Sequence, residues 1–268
     1  MSDAVALPAI RRRAWAIPGG NLGIKIAGGL VIAAVWQILV GIFAPPYVAK
    51  PIGIVMAIPS VLSSPQFLAA AWSTLWAVAQ GLVVAVVIGT VVGLAMGRMR
   101  TVDRAFAVYV NGLNAMPMVA VLPLLTLWFG YTGDARMATI VFAAFFAIAL
   151  NMADGARAVP PEYLEVARSY RANWLGIWFG ITVPAALPYL LAGLRIAAGR
   201  ALIGAIVAEF YISLDGLGFY ILFNSRSFHH DEAFVAVLLL ALFGLGIEAA
   251  MNWAMRRFLP WYRREGRN

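Results

Sequence analysis

Charged residues are missing from this chain over stretches that only a bilayer tolerates. Between Lys25 and Lys50 lie 24 residues without a charge, and between Lys50 and Arg98 lie 47. The intervals Arg104–Asp134, Arg136–Asp154, Arg171–Arg195 and Glu232–Glu248 hold 29, 17, 23 and 15 more. A helix needs roughly 20 predominantly apolar residues to cross the hydrocarbon core. Of 268 residues, 63% are hydrophobic and 12% charged, where an ordinary soluble domain is about 25% charged. The expected fold is therefore all-α, a polytopic transmembrane helical bundle. The 47-residue interval contains Pro51, Pro59 and Pro65 with Ser63, Ser64 and Gln66. Its first part reads as a loop or interfacial segment and its second as a helix. Six spans are predicted, near 24–43, 70–97, 105–130, 136–154, 182–208 and 233–256.

Lysine and arginine set the predicted orientation, because cytoplasmic loops retain positive charge. Arg11, Arg12, Arg13 and Lys25 precede span one, and Arg98, Arg100 and Arg104 join spans two and three. Arg157, Arg168 and Arg171 join spans four and five, and Arg256, Arg257, Arg263, Arg264 and Arg267 follow span six. Those fifteen stand against three on the opposite side, Lys50, Arg136 and Arg226, with Arg195 and Arg200 inside span five. Both termini are expected in the cytoplasm, with tails at 1–20 and 261–268 around a membrane domain at 21–260. The net charge of +8 then follows from topology, and no nucleic-acid partner is expected. A signal peptide is the competing reading of the N-terminus. Its apolar core would be only roughly 7–15 residues long, and no A-x-A-like site lies between the end of the apolar run and Pro45-Pro46.

The sequence contains no cysteine, and its two histidines, His229 and His230, are adjacent. Thiol chemistry, disulfides and Cys-ligated metals are excluded, and no metal or cofactor is expected on this chain. Enzyme motifs such as H-E-x-x-H and G-x-S-x-G are missing, as is the G-x-x-x-x-G-K-[ST] loop of ATPases.

The informative segment follows span four. Pro160-Pro161 suits a helix start. Glu162 and Glu165 lie near that start, with Arg168 and Arg171 further on, as the helix dipole favours. Tyr163, Val166, Ala167, Tyr170 and Trp174 recur at i, i+3, i+4, i+7 and i+11, one stripe of an amphipathic helix near 161–176. Two coverings for that stripe stay open, lipid headgroups or a partner's groove. Pro184 and Pro188 beyond it argue against a plain continuous helix.

The run Glu165-Val166-Ala167-Arg168-Ser169-Tyr170-Arg171-Ala172, followed by Val183-Pro184-Ala185-Ala186-Leu187-Pro188-Tyr189, resembles the EAA loop of binding-protein-dependent ABC permeases. Ala115-Met116-Pro117 through Leu122-Pro123-Leu124, Trp128-Phe129-Gly130, Gly193-Leu194-Arg195, Ala208-Glu209-Phe210 and Gly216-Leu217-Gly218-Phe219-Tyr220-Ile221 look like further landmarks of that family. The resemblance covers most of the chain and is most similar to the nitrate, sulfonate and taurine branch. It implies a type I ABC importer-like permease of the bacterial inner membrane. It also implies a coupling helix carrying Glu165, Val166, Ala167, Arg168, Tyr170, Arg171 and Ala172 that inserts into a cleft of the ATPase. ATP and Mg would be held on a separate P-loop ATPase dimer. A second permease copy, forming a homodimer, and an extracytoplasmic substrate-binding protein would complete the complex, and the cargo would be a small anion such as a sulfonate, taurine or nitrate. Two departures stand out: Arg171 occupies the place of the family's usual glycine, and Pro51-Ile52-Gly53 only partly matches its Pro-Ser-Pro segment.

Other features admit two readings each. Gly81, Gly89, Gly93 and Gly97 serve packing within the chain or contact between permeases. Asn111, Asn114, Met116 and Pro117 interrupt span three, as pathway lining or as a proline kink. Arg195 and Arg200 could meet an anion, although Arg195 can also reach the interface or pair with Glu248. Glu209 is a gate or binding-protein contact, or a solvated helix end. Asp215-Gly216-Leu217-Gly218-Phe219 reads as a turn into a short re-entrant or interfacial helix. The competing function classes are a polytopic membrane enzyme and a stand-alone secondary transporter. The first lacks paired carboxylates within a span, and the second lacks a recognisable internal repeat.

Overall fold

Prolines and short polar side chains set five of the helix starts. A computed structural model of the chain describes residues 20–45, 47–212 and 215–258. The two predicted tails lie outside these residues, apart from Gly20. The helices are α1 Gly20–Phe43, α2 Pro51–Ser63, α3 Pro65–Arg98, α4 Arg100–Asn114, α5 Met118–Phe129, α6 Gly133–Arg157, α7 Pro161–Ser169, α8 Trp174–Ile177, α9 Val183–Ile212, α10 Leu217–Arg226 and α11 His230–Phe258. Pro51, Pro65 and Pro161 open their helices, where the missing N–H costs nothing. Ser64, Thr132 and Asn173 cap α3, α6 and α8 by accepting from Phe67, Asp134 and Gly176 N–H groups.

Among the described residues, five helices are long and apolar enough to span a membrane, or six spans if the bent α4–α5 pair counts as one. That agrees with the six predicted spans. At the centre α6 packs between α3 and α9, and their contact is built largely from alanine, including Ala85, Ala144, Ala197, Ala201 and Ala205. Small side chains let helix backbones approach closely. The glycine stripe of α3 belongs to the same packing. A Cβ on Gly93 would overlap the Ala149 carbonyl oxygen, one on Gly97 the Ala153 carbonyl oxygen, and one on Gly81 the Ile140 side chain. Packing within the chain, rather than contact between permeases, is thus the reading that holds. α1 is peripheral, with Leu30, Val31 and Ile32 exposed.

Four sequence expectations are corrected. Of the two readings of residues 51–63, the loop is corrected, since they form the short apolar helix α2, and span two starts at Pro65 rather than 70. Pro59 is tolerated inside α2, and the Ser63 hydroxyl bonds its carbonyl at 2.9 Å. Span three is two helices, bent by 106° between Asn114 and Met118, because Pro117 cannot continue the hydrogen-bond ladder. The helix predicted near 161–176 ends at Ser169. Pro184 does not break its helix either. The residues before it, Trp178–Thr182, form a π turn, and the Val183 N–H bonds back to Trp178, so an uninterrupted span runs from Trp174 to Ile212.

Candidate coupling helix and buried polar sites

At one end of the bundle, α7 stands out from the core on a single buried anchor, Leu164. The predicted stripe is exposed but divided, with Tyr163 and Val166 on α7, Tyr170 at its C-cap and Trp174 at the start of α8. Tyr163, Val166, Tyr170 and Trp174 are 62%, 55%, 85% and 64% exposed, and Glu165, Arg168, Arg171 and Ala172 are also exposed while Ala167 is half-buried. The end of α7 explains the missing glycine. Arg171 has φ 56°, its N–H bonds the Arg168 carbonyl and the Ala172 N–H reaches back to the Ala167 carbonyl, both at 2.9 Å. This is the Schellman arrangement, whose left-handed residue is usually glycine. Arginine adopts the same conformation here at a cost of about 1–2 kcal/mol, so the turn keeps its geometry. Behind α7, Arg157 ties the start of α4 to the end of α6 through Asp103 at 2.5 Å and Asp154 at 3.0 Å.

At the opposite end sits a polar knot that the sequence reading missed. Glu209 is fully buried, not a solvated helix end. The Thr74 hydroxyl donates to it at 2.8 Å, the Gly218 N–H donates at 2.8 Å, and Arg136 Nη1 lies 3.5 Å away. Thr74 in turn accepts from the Leu217 N–H at 2.8 Å. Arg136 also donates to the Asp215 carbonyl and the Ser73 hydroxyl. Helices α3, α6, α9 and α10 therefore meet on one carboxylate. The Gly216-Leu217-Gly218 run is its cradle, since a Cβ at either glycine would collide with Glu209, and Gly216 takes φ 139°. A G-x-G run seven residues after an intramembrane glutamate was the signal available. Beside the knot, a pocket of ≈ 640 Å³ is lined by residues that include Gln66, Asp215, Tyr220, Asn224 and Glu232. Burial, then the Glu232 charge, pushes the Tyr220 phenol above its ordinary value.

The predicted pathway residues divide into three places. Asn114 and Met116 come together at the α4–α5 bend, where Asn114 Oδ1 accepts from Arg200 Nη1 at 2.6 Å. Pro117 precedes the start of α5, and Asn111 bonds its own helix, at the Ala107 carbonyl. Arg195 lies on another part of α9 and pairs with Glu248, the structural alternative foreseen for it. Glu209 belongs to the knot.

Residues 85–264 match the family of binding-protein-dependent transport system inner membrane components. The chain belongs to this family. The permease is 30% identical over 237 residues to the formylaminopyrimidine transport permease of Halalkalibacterium halodurans, which covers 88% of this chain and 94% of the relative. It is 26% identical over 264 residues to the taurine transport system permease of Escherichia coli, covering 94% of each. The MetNI methionine ABC transporter shares the fold, with a TM-score of 0.62 over 72% of this chain and 95% of that one at 20% identity. The expected all-α importer architecture agrees with these likenesses, and the permease is a multi-pass inner-membrane component of an ABC importer.

Proposed function

We propose that the permease carries a small anion across the membrane, driven by a separate P-loop ATPase dimer that holds ATP and Mg and docks on α7. A second permease copy completes the pathway, and a binding protein delivers the solute at the Glu209 end. Both termini and α7 face the cytoplasm. Taurine and sulfonate permeases among the relatives favour an anionic cargo. The observation that carries the docking is the exposed stripe of Tyr163, Val166, Tyr170 and Trp174 beside Glu165 and Arg168. Contiguous apolar surface rimmed by charge marks an interaction face, and the closed C-terminal turn at Arg171 makes α7 a short rigid lever. When ATP closes the partner dimer, α7 moves as one body and biases the bundle between its two access states.

Val166→Glu tests this directly. Val166 is more than half exposed, so the variant should assemble in the membrane at normal yield. An unpaired charge in the docking groove costs about 2–5 kcal/mol, so uptake by the reconstituted transporter should fall more than about tenfold. Unchanged uptake with unchanged ATP consumption would remove α7 from the coupling path.

A further inference from the structure

Span five carries two arginines, and their partners differ in kind. Arg195 is neutralised by the Glu248 carboxylate. Arg200 has no carboxylate within ion-pair distance among the described residues, and its hydrogen bond goes to the neutral Asn114 amide. Twelve residues separate Arg200 from Ile212 at the end of α9. That is about 18 Å along a helix, past the middle of a hydrocarbon core about 30 Å thick. Arg200 is exposed on the single chain. A bare cation at this depth is not stable against lipid tails, and such groups face a water-filled cavity or a partner.

The surroundings of Arg200 carry one sign. Leu113, Asn114, Met116, Met118 and Ile203 line a pocket of ≈ 180 Å³ with it, and no acidic side chain contributes. Helix α5 begins at Met118 with no side-chain cap. Met118, the first residue of α5, lines the same pocket, which brings the positive end of the helix dipole to it. Asn114 gives its Oδ1 to Arg200, which leaves its Nδ2 as a further donor. Broken membrane helices present their half-helix starts to anionic groups in this way.

We infer that Arg200, Asn114 and the start of α5 form an oxyanion-binding site midway through the membrane, which takes the sulfonate, carboxylate or nitrate group of the solute in transit. The inference rests on the importer reading above and adds where its anion is held. Arg200 supplies the charge, Asn114 orients the guanidinium, and the start of α5 adds the positive end of its dipole.

The lack of native cysteine permits a test independent of uptake. Met116→Cys places a thiol at the pocket in membrane vesicles carrying the assembled transporter. It should react with an anionic methanethiosulfonate (the ethylsulfonate) faster than with its trimethylammonium counterpart. Adding Arg200→Gln should shift that rate ratio by about tenfold toward the cation, Arg200→Lys should restore most of it, and millimolar ethanesulfonate or nitrate should slow the anionic reagent. A ratio indifferent to Arg200, or a thiol that reacts only with lipid-soluble maleimide, would overturn the site. If the ratio behaves as expected but the complex accumulates only uncharged solutes, the anion-importer reading fails while the pocket's anion preference stands.

Discussion

Glu209→Ala should be the most damaging single truncation in the permease. It strips the acceptor from the Thr74 hydroxyl and the Gly218 N–H, leaves Arg136 facing a void, and empties the cradle of Gly216 and Gly218. Removing one partner of a buried, hydrogen-bonded charge pair costs about 3–5 kcal/mol. The expected result is a large fall in melting temperature in detergent, or loss of monodisperse protein on size exclusion. Glu209→Gln keeps the volume and one acceptor, so it should cost less, about 1–3 kcal/mol. If Glu209→Ala melted with the unaltered protein, the carboxylate would not be what joins α10 to α3 and α6.

Gly93→Val should be nearly as severe, for a steric reason. The added atoms meet the Ala149 carbonyl oxygen and Met152 Cβ on α6, and backbone cannot swing aside as a side-chain tip can. Overpacking of this kind costs about 3 kcal/mol. Gly244 is the matched control, with nothing within 4 Å of its would-be Cβ. Gly244→Ala should be neutral or stabilise α11 by up to about 1 kcal/mol through helix propensity. Thermal unfolding of the two variants side by side separates helix packing from a general intolerance of glycine replacement.

The membrane spans were legible because lipid excludes charge, and charge intervals are a one-dimensional signal. The break in span three was legible at Pro117, but its 106° bend was not, since bend direction is fixed by packing against α6 and α9. The end of α7 was misread for a local reason. The apolar stripe continues in register to Trp174, and nothing in the arginine side chain announces the left-handed turn that Arg171 adopts. Glu209 was misjudged because its partners, Thr74 and Arg136, lie 135 and 73 residues away. Arg136 had served only as a loop charge in the orientation count. The two prolines that argued against a plain continuous helix are accommodated by one widened π turn at Trp178–Thr182 rather than by a break.

The exposed apolar residues of α7 and the turn after it should be covered by an ATPase rather than by lipid headgroups. Val166→Cys puts a single thiol into an otherwise cysteine-free chain. In inner-membrane vesicles carrying the assembled transporter, a short thiol-to-amine cross-linker should join this chain to the ATPase subunit. The yield should change when ATP is supplied. The contradictory result is no such product, with a fluorophore on the introduced thiol quenched by nitroxide-labelled lipid headgroups.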